Sequence, residues 1–246
     1  VSNNNVIEKN VLTNAGRFYV SAGLTNSGAG SDYGARVAVG GDLRVASNCW
    51  ILPAAHPTSG ASVLFTMQNL TIDSNGGFNA DARGYAGGIR PGTSNAAHGP
   101  GCASAFNAGS GYGGVGGTGC YNSVASAGGL VYGNANYPVA PGSGARAGSA
   151  SLDVQDPSID GPYGGGSVQI RAVDTATVNG HILANSGQRS TRYGPGASGG
   201  GIYIRCKTFI GSPNGLIQAN GGISGYGPAY PGGPGGGGRI AVWRVN

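Results

Sequence analysis

GGGSVQI (164–170) leads into TVNGHILANSG (177–187), GGGIYI (199–204) leads into SPNGLIQANGG (212–222), and GGGGRIAV (235–242) opens the same phrase again. Each copy reads as a glycine run, a short alternating strand, an Asn-Gly corner, a second apolar pair and a loop. The unit starts at Gly164 and recurs at Gly199 and Gly236, spacings of 35 and 37 residues. Self-similarity at a period of roughly 20–50 residues marks repeat architectures such as solenoids, propellers and arrays.

Upstream, residues 63–88 supply a further copy: Val63-Leu-Phe-Thr-Met67, then Asn69-Leu-Thr-Ile72, then Asn75-Gly-Gly-Phe-Asn-Ala80. Alternation places Val63/Phe65/Met67, Val168/Ile170/Ala172 and Ile202/Ile204/Cys206 on one face, where they should stack as ladders in a core. The opposite face carries Thr66, Arg171 and Arg205. Cys206 is in phase with that core and reads as a buried thiol. Asn and Gly at the corners tolerate left-handed backbone angles. Units joined by long connections then pair in parallel, each covering the open edge of the one before. A propeller blade would need four antiparallel strands per unit, more than these units contain. Before residue 63 the short runs at Val6-Ile7, Arg17–Val20, Arg36–Val39, Asp42–Val45 and Cys49–Leu52 also read as strands, the last stopped by Pro53. The expected fold is one all-β domain over 1–246, a right-handed parallel β-helix (β-solenoid) with long glycine-rich loops.

Composition agrees. Glycine makes up 52 of 246 residues and charged residues only 9%, against roughly 7% and 25% in average chains. There is no strict G-X-Y period, so collagen is excluded. Net charge is +5, carried by twelve arginines against two lysines. The arginines are scattered along the chain, whereas a nucleic-acid protein shows a basic stripe. No run of about 20 apolar residues is present, so no membrane span is expected. The start at Val1-Ser2-Asn3 reads as a mature, processed chain or a fragment.

Residues 86–163 break the rhythm with Gly, Ser, Ala, Asn and Pro. They also hold Phe106, Tyr112, Tyr121, Tyr132 and Tyr137, which a flexible linker would lack. An ordered glycine-rich insert is expected, partly in extended, polyproline-like form. The glycine runs of the repeat itself read as turns. Cys102 and Cys120 flank one glycine-rich loop and are the candidate disulfide among the four cysteines.

The ordered set NLTIDSNGGFNADARGYAGG (69–88), SGYGGVGGTG (110–119), VYGNANYPVAPGSG (131–144) and the three C-terminal copies resembles a glycine-rich β-helix module of large bacterial surface proteins and of eukaryotic glycine-rich extracellular proteins. The resemblance covers about residues 35–246 and leaves 1–35 outside. It implies a parallel β-solenoid, displayed at the cell surface or secreted, without defined catalysis.

Searching for chemistry gives little. The acids are dispersed, so the paired carboxylates of a polysaccharide hydrolase are missing. His181 reads as a corner residue. Asp153, Asp156 and Asp160 are dense enough to hold Ca²⁺ with backbone carbonyls, but lack the rhythm of calcium-binding repeats, and a solvated loop is the plainer reading. No cofactor is expected. Tyrosines in or next to loops (Tyr112, Tyr121, Tyr132, Tyr137, Tyr163, Tyr193, Tyr226, Tyr230) could stack on sugars or pin glycine loops together. The last strand has no cap after it, and an open repeat end exposes strand edges. Either the chain is one module of a longer protein, or its ends pair with other copies. The second is the expectation, with Val6, Ile7, Phe18, Val20, Ile240, Val242, Trp243 and Val245 as self-association candidates. The function expected is that of a non-enzymatic, extracellular structural protein that self-assembles into a filament, layer or matrix. The alternative is a polysaccharide-binding or polysaccharide-cleaving β-helix protein, with cell-surface glycans as partners.

Overall fold

The computed structural model describes residues 6–7, 10–12, 16–24, 33–89, 96–105, 107–121, 123–147, 160–188, 194–225 and 231–246, with only the backbone at 6–7, 10–12 and 121. Among them there is no helix, so none is long and apolar enough to cross a membrane. The strands come in sets of three. The first is β1 (Val6–Ile7), β2 (Asn10–Leu12) and β3 (Arg17–Ser21), followed by β4 (Ala35–Val39), β5 (Leu43–Val45) and β6 (Trp50–Ala54), then β7 (Val63–Met67), β8 (Leu70–Ile72) and β9 (Gly77–Asn79). A hairpin, β10 (Gly119–Tyr121) with β11 (Val124–Ser126), stands apart. The sets resume with β12 (Ser167–Ala172), β13 (Thr175–Val178) and β14 (His181–Leu183), then β15 (Gly201–Cys206), β16 (Thr208–Gly211) and β17 (Leu216–Gln218), and lastly β18 (Arg239–Arg244).

Members of a set go to three different sheets. Sheet A runs β1-β4-β7-β12-β15-β18, sheet B β2-β5-β8-β13-β16, and sheet C β3-β6-β9-β14-β17. Every pairing in the three is parallel. The all-β, parallel expectation therefore holds, and β4 and β5 are not a hairpin.

Parallel register converts sequence alternation into columns. Val37, Phe65, Ile170, Ile204 and Val242 align in sheet A. Leu43, Leu70, Ala176 and Phe209 align in sheet B, and Phe18, Ile51, Phe78, Ile182 and Ile217 in sheet C. The columns meet in one interior, where Phe65 packs edge-on against Phe78 at 5.1 Å. Each large side chain so buried contributes about 1.5–3 kcal/mol. The residues expected on the core face are all buried in it, Cys206 included. Asn48 and Asn75 turn their corners at φ 63° and 62°, a conformation asparagine tolerates better than most residues. Pro53 does not stop its strand. The N–H it lacks would point toward β9, whose pairing with β6 ends at Ile51.

The glycine runs are not turns. Gly164–166 and Gly235–238 are extended segments that belong to a second body beside sheet A. Its bonding has a period of three: the N–H groups of Gly109, Ser110 and Gly111 donate in succession to Gly117, Gly196 and Gly101. Those of Gly84, Tyr85 and Ala86 donate to Gly164, Gly142 and Pro57. A strand would point alternate N–H groups to two sides. Three sides in rotation is the geometry of a polyproline-II-like helix with three residues per turn, so these segments form a bundle of glycine rods. The rods touch backbone to backbone: a Cβ on Gly129 would overlap the Gly101 carbonyl oxygen, and one on Gly165 that of Ala184. Buried hydroxyls link them, with Ser110 Oγ donating to Gly144 O (2.7 Å) and the Ser143 N–H to Ser198 Oγ (2.8 Å).

The bundle is clamped on sheet A's outer face over Leu64, Gln169 and Tyr203, all buried. The Val139 carbonyl accepts from Ser167 Oγ (2.8 Å) and Ser62 Oγ (3.1 Å). Tyr137 meets Tyr203 edge-on at 4.5 Å.

Candidate functional site

Two features stand out from this closed packing. The first is the end of the stack at β16, β17 and β18. Each is the last strand of its sheet, with one edge unpaired among the described residues. Ile240 and Val242 continue core columns, yet they are 46% and 38% exposed, whereas Ile202 and Ile204 directly beneath are fully buried. Phe209 and Ile217 continue the other two columns and are half-buried. The apolar interior is thus open at this end. Trp243 points to the other face of β18, where its Nε1–H donates to Asn136 O at 2.6 Å. Val245 lies beyond β18, its N–H bonded to Cys206 O at 2.9 Å. At the other end, Val6 and Ile7 pair with β4 through their backbone. Val20 is buried in the core, and Phe18 is partly buried against it. Val20 is thus enclosed by this chain's own core.

The second feature is an open groove of about 640 Å³ on the uncovered part of sheet A's outer face. Register stacks Ala38, Thr66, Arg171 and Arg205 across it, and Trp243 is the next residue of that column. Arg36 joins the column because its Nε and Nη2 donate to Thr66 Oγ1 at 3.3 and 3.2 Å. Arg171 donates to the Tyr137 hydroxyl, and its guanidinium lies 5.9 Å from that ring centre. No carboxylate lines the groove, and none of its three arginines makes an ion pair among the described residues. Alternation had put Arg171 and Arg205 on this face. What the sequence could not show is that arginines far apart in the chain gather in space.

Asp42, Asp73, Asp81 and Asp174 are each engaged with different partners. Asp42 accepts from Asn69 Nδ2 (2.8 Å), and Asp73 pairs with Arg44 (2.8 Å). Asp81 accepts the Asn185 N–H (2.7 Å), and burial raises its carboxyl above the ordinary range despite that bond. Asp174 takes Lys207 Nζ (2.8 Å) and Gln68 Nε2, which hold it below its usual value. No two of these four carboxylates share a hydrogen bond. No group of three or more metal-ligating side chains occurs among the described residues. Asp153 and Asp156 lie outside the described residues.

The expected Cys102–Cys120 disulfide is not formed; all four cysteines are free. Cys102 sits in a turn closed by its N–H to Gly99 O (3.1 Å). Cys120 belongs to the β10–β11 hairpin, its N–H on Pro231 O (3.0 Å) and its carbonyl on Asn107 Nδ2 (2.8 Å). Different neighbours hold the two, and a shared loop does not by itself bring Cβ atoms to bonding distance. His181 is in β14, not at a corner, with its ring 5.9 Å from that of Trp50. Tyr112 and Tyr132 pin the rods instead of facing solvent: their rings lie 4.7 Å apart, and Tyr132 donates to Pro141 O at 2.5 Å. Burial drives both phenol pKa values well above the ordinary tyrosine range. Tyr163 is exposed, and Tyr193, Tyr226 and Tyr230 lie outside the described residues.

No protein-family model, no curated protein and no solved structure matches the chain.

Proposed function

We propose that this chain is a non-enzymatic, extracellular structural protein that self-assembles by stacking copies through the open end of its sheets. In this reading the three sheets are the faces of a right-handed parallel β-helix, and a filament, layer or matrix extends it. The observation that carries the proposal is the exposure of Ile240 and Val242 in columns whose earlier members are fully buried. An uncovered core end beside three unpaired strand edges is a template for another chain. A heterologous contact of this kind propagates into a filament when its rotation does not close. Low charge, dense glycine and carboxylates engaged with different partners fit a structural role better than catalysis.

The test is assembly of the pure protein, followed by electron microscopy and size-exclusion chromatography. Wild type should form concentration-dependent oligomers or fibres, and Val242→Lys, which places a charge in the open core column, should abolish them. Strictly monomeric wild type at high concentration, or unaffected assembly of V242K, overturns the proposal.

A further inference from the structure

The arginine column is unexplained by packing. Arg171 and Arg205 are direct cross-strand partners, and like charges placed so are destabilising. Neighbouring strands sit about 4.8 Å apart, so the two guanidiniums start from adjacent rungs. Arg36 extends the row through Thr66. Arg171 is held in place by Tyr137, while Arg205 is exposed and has no hydrogen bond or ion pair among the described residues. Nearby Lys207 is already matched by Asp174. The groove is therefore a row of unneutralised cations, and the half-exposed indole of Trp243 follows Arg205 in the same column.

We infer that this groove binds a linear anionic polysaccharide, with one carboxylate or sulfate per sugar engaging successive arginines. Guanidinium forks take planar oxyanions through two hydrogen bonds. A row of such forks crossing the strands suits a chain that repeats its charge once per ring. The Trp243 face offers an apolar platform for one sugar. Single-stranded nucleic acid is the weaker match, because it needs several aromatic platforms for successive bases. Here Tyr137 is taken up by Tyr203 and Arg171, which leaves one ring. With no carboxylate in the groove, binding occurs without hydrolysis by a carboxylate pair. The inference stands apart from self-assembly, because the groove lies on the flank of the stack and its occupancy does not depend on stacking.

The experiment is calorimetric titration at low salt with polygalacturonate, a sulfated glycosaminoglycan, neutral dextran, poly-L-glutamate and single-stranded DNA, using wild type, Arg205→Gln and Arg171→Gln/Arg205→Gln. Polygalacturonate or the glycosaminoglycan should bind, with affinity falling as salt rises, and dextran should not. The double variant should bind on the order of tenfold more weakly. R205Q, which alters an exposed and unpartnered side chain, should show part of that loss without a fall in melting temperature, so the test survives if the double variant misfolds. Equal binding by wild type and R205Q, absence of binding to both anionic polysaccharides, or tighter binding of DNA or polyglutamate overturns the inference.

Discussion

Replacing Gly142 by alanine should be among the most damaging single-methyl changes in this chain, and replacing Gly237 should be harmless. Gly142 lies where rods converge: its N–H donates to Gly165 O (2.8 Å), and its carbonyl accepts from the Tyr85 N–H (3.1 Å). A Cβ there would overlap the Gly199 and Ser198 carbonyl oxygens, which are backbone atoms and cannot rotate away. Overpacking of this kind costs roughly 1–3 kcal/mol, and a backbone bond lost as the rods part adds about 1 kcal/mol. The sum, about 2–4 kcal/mol, corresponds to a fall in melting temperature of roughly 4–16 °C for a chain of this size. Gly237 is in the same body, and its carbonyl accepts from Gly113 and Gly114, yet a Cβ there would meet nothing within 4 Å. Neither glycine has the left-handed φ that alone would penalise alanine. G237A should therefore leave the midpoint unchanged or raise it slightly, since alanine restricts the unfolded chain. Thermal unfolding followed by circular dichroism reads both. Equal shifts for the two variants would refute the backbone-contact account of the bundle.

Two further outcomes follow. Titration of the denatured protein without reductant should find four thiols, and in the native state Cys49 and Cys206, both fully buried, should resist modification; a count of two would restore a disulfide. For Asp174, Lys207 and Gln68 hold the folded-state carboxyl below its ordinary 3.8. A depressed carboxylate value contributes stability above the unfolded-state value and loses it as pH falls through the folded one. D174N should therefore melt slightly below wild type at neutral pH, and the difference should fade in acid well below 3.8. A gap independent of pH would remove the carboxylate as its source.

The sheets were legible in the sequence because period-two alternation is a side-chain signal, and parallel register preserves it from layer to layer. Val63/Phe65/Met67 and Ile202/Ile204/Cys206 could be assigned to one face without knowing what they touched. The layer from β4 to β6 was harder to recognise as a copy, since no glycine run precedes Ala35 and Pro53 falsely marked an end. The rod bundle was only partly legible, for a different reason: an extended, polyproline-like form was expected within residues 86–163, while the glycine runs of the repeat itself read as turns. Its period of three is carried by the directions of N–H groups, which leave no trace in side-chain pattern, while glycine on its own reads as a turn. The arginine column failed in a third way: alternation fixed its face, but the pairing of Arg171 with Thr66, which brings Arg36 into the row, joins strands on either side of residues 86–163.

Rods and sheets also constrain each other. Gly164–166, Gly199–200 and Gly236–238 run directly into β12, β15 and β18, so one layer holds both a rod and its strands. Bonds between rods follow the same order as the pairs of sheet A: Gly165 donates to Ser198, and Gly199 to Gly236. Strand spacing is about 4.8 Å, and rods tied to it must approach as closely, which excludes side chains at the contacts. A methyl that props two rods apart should therefore strain the adjacent rungs of sheet A as well. The same coupling bears on assembly. Space is open beside Gly237 as it is above Ile240 and Val242, so the exposed end presents an incomplete rod layer together with an incomplete sheet layer. A docking copy that supplied only a strand would leave the rod contacts unmade. One that supplied a strand and a glycine segment together would complete both, and this double requirement would restrict stacking to chains built on the same layer.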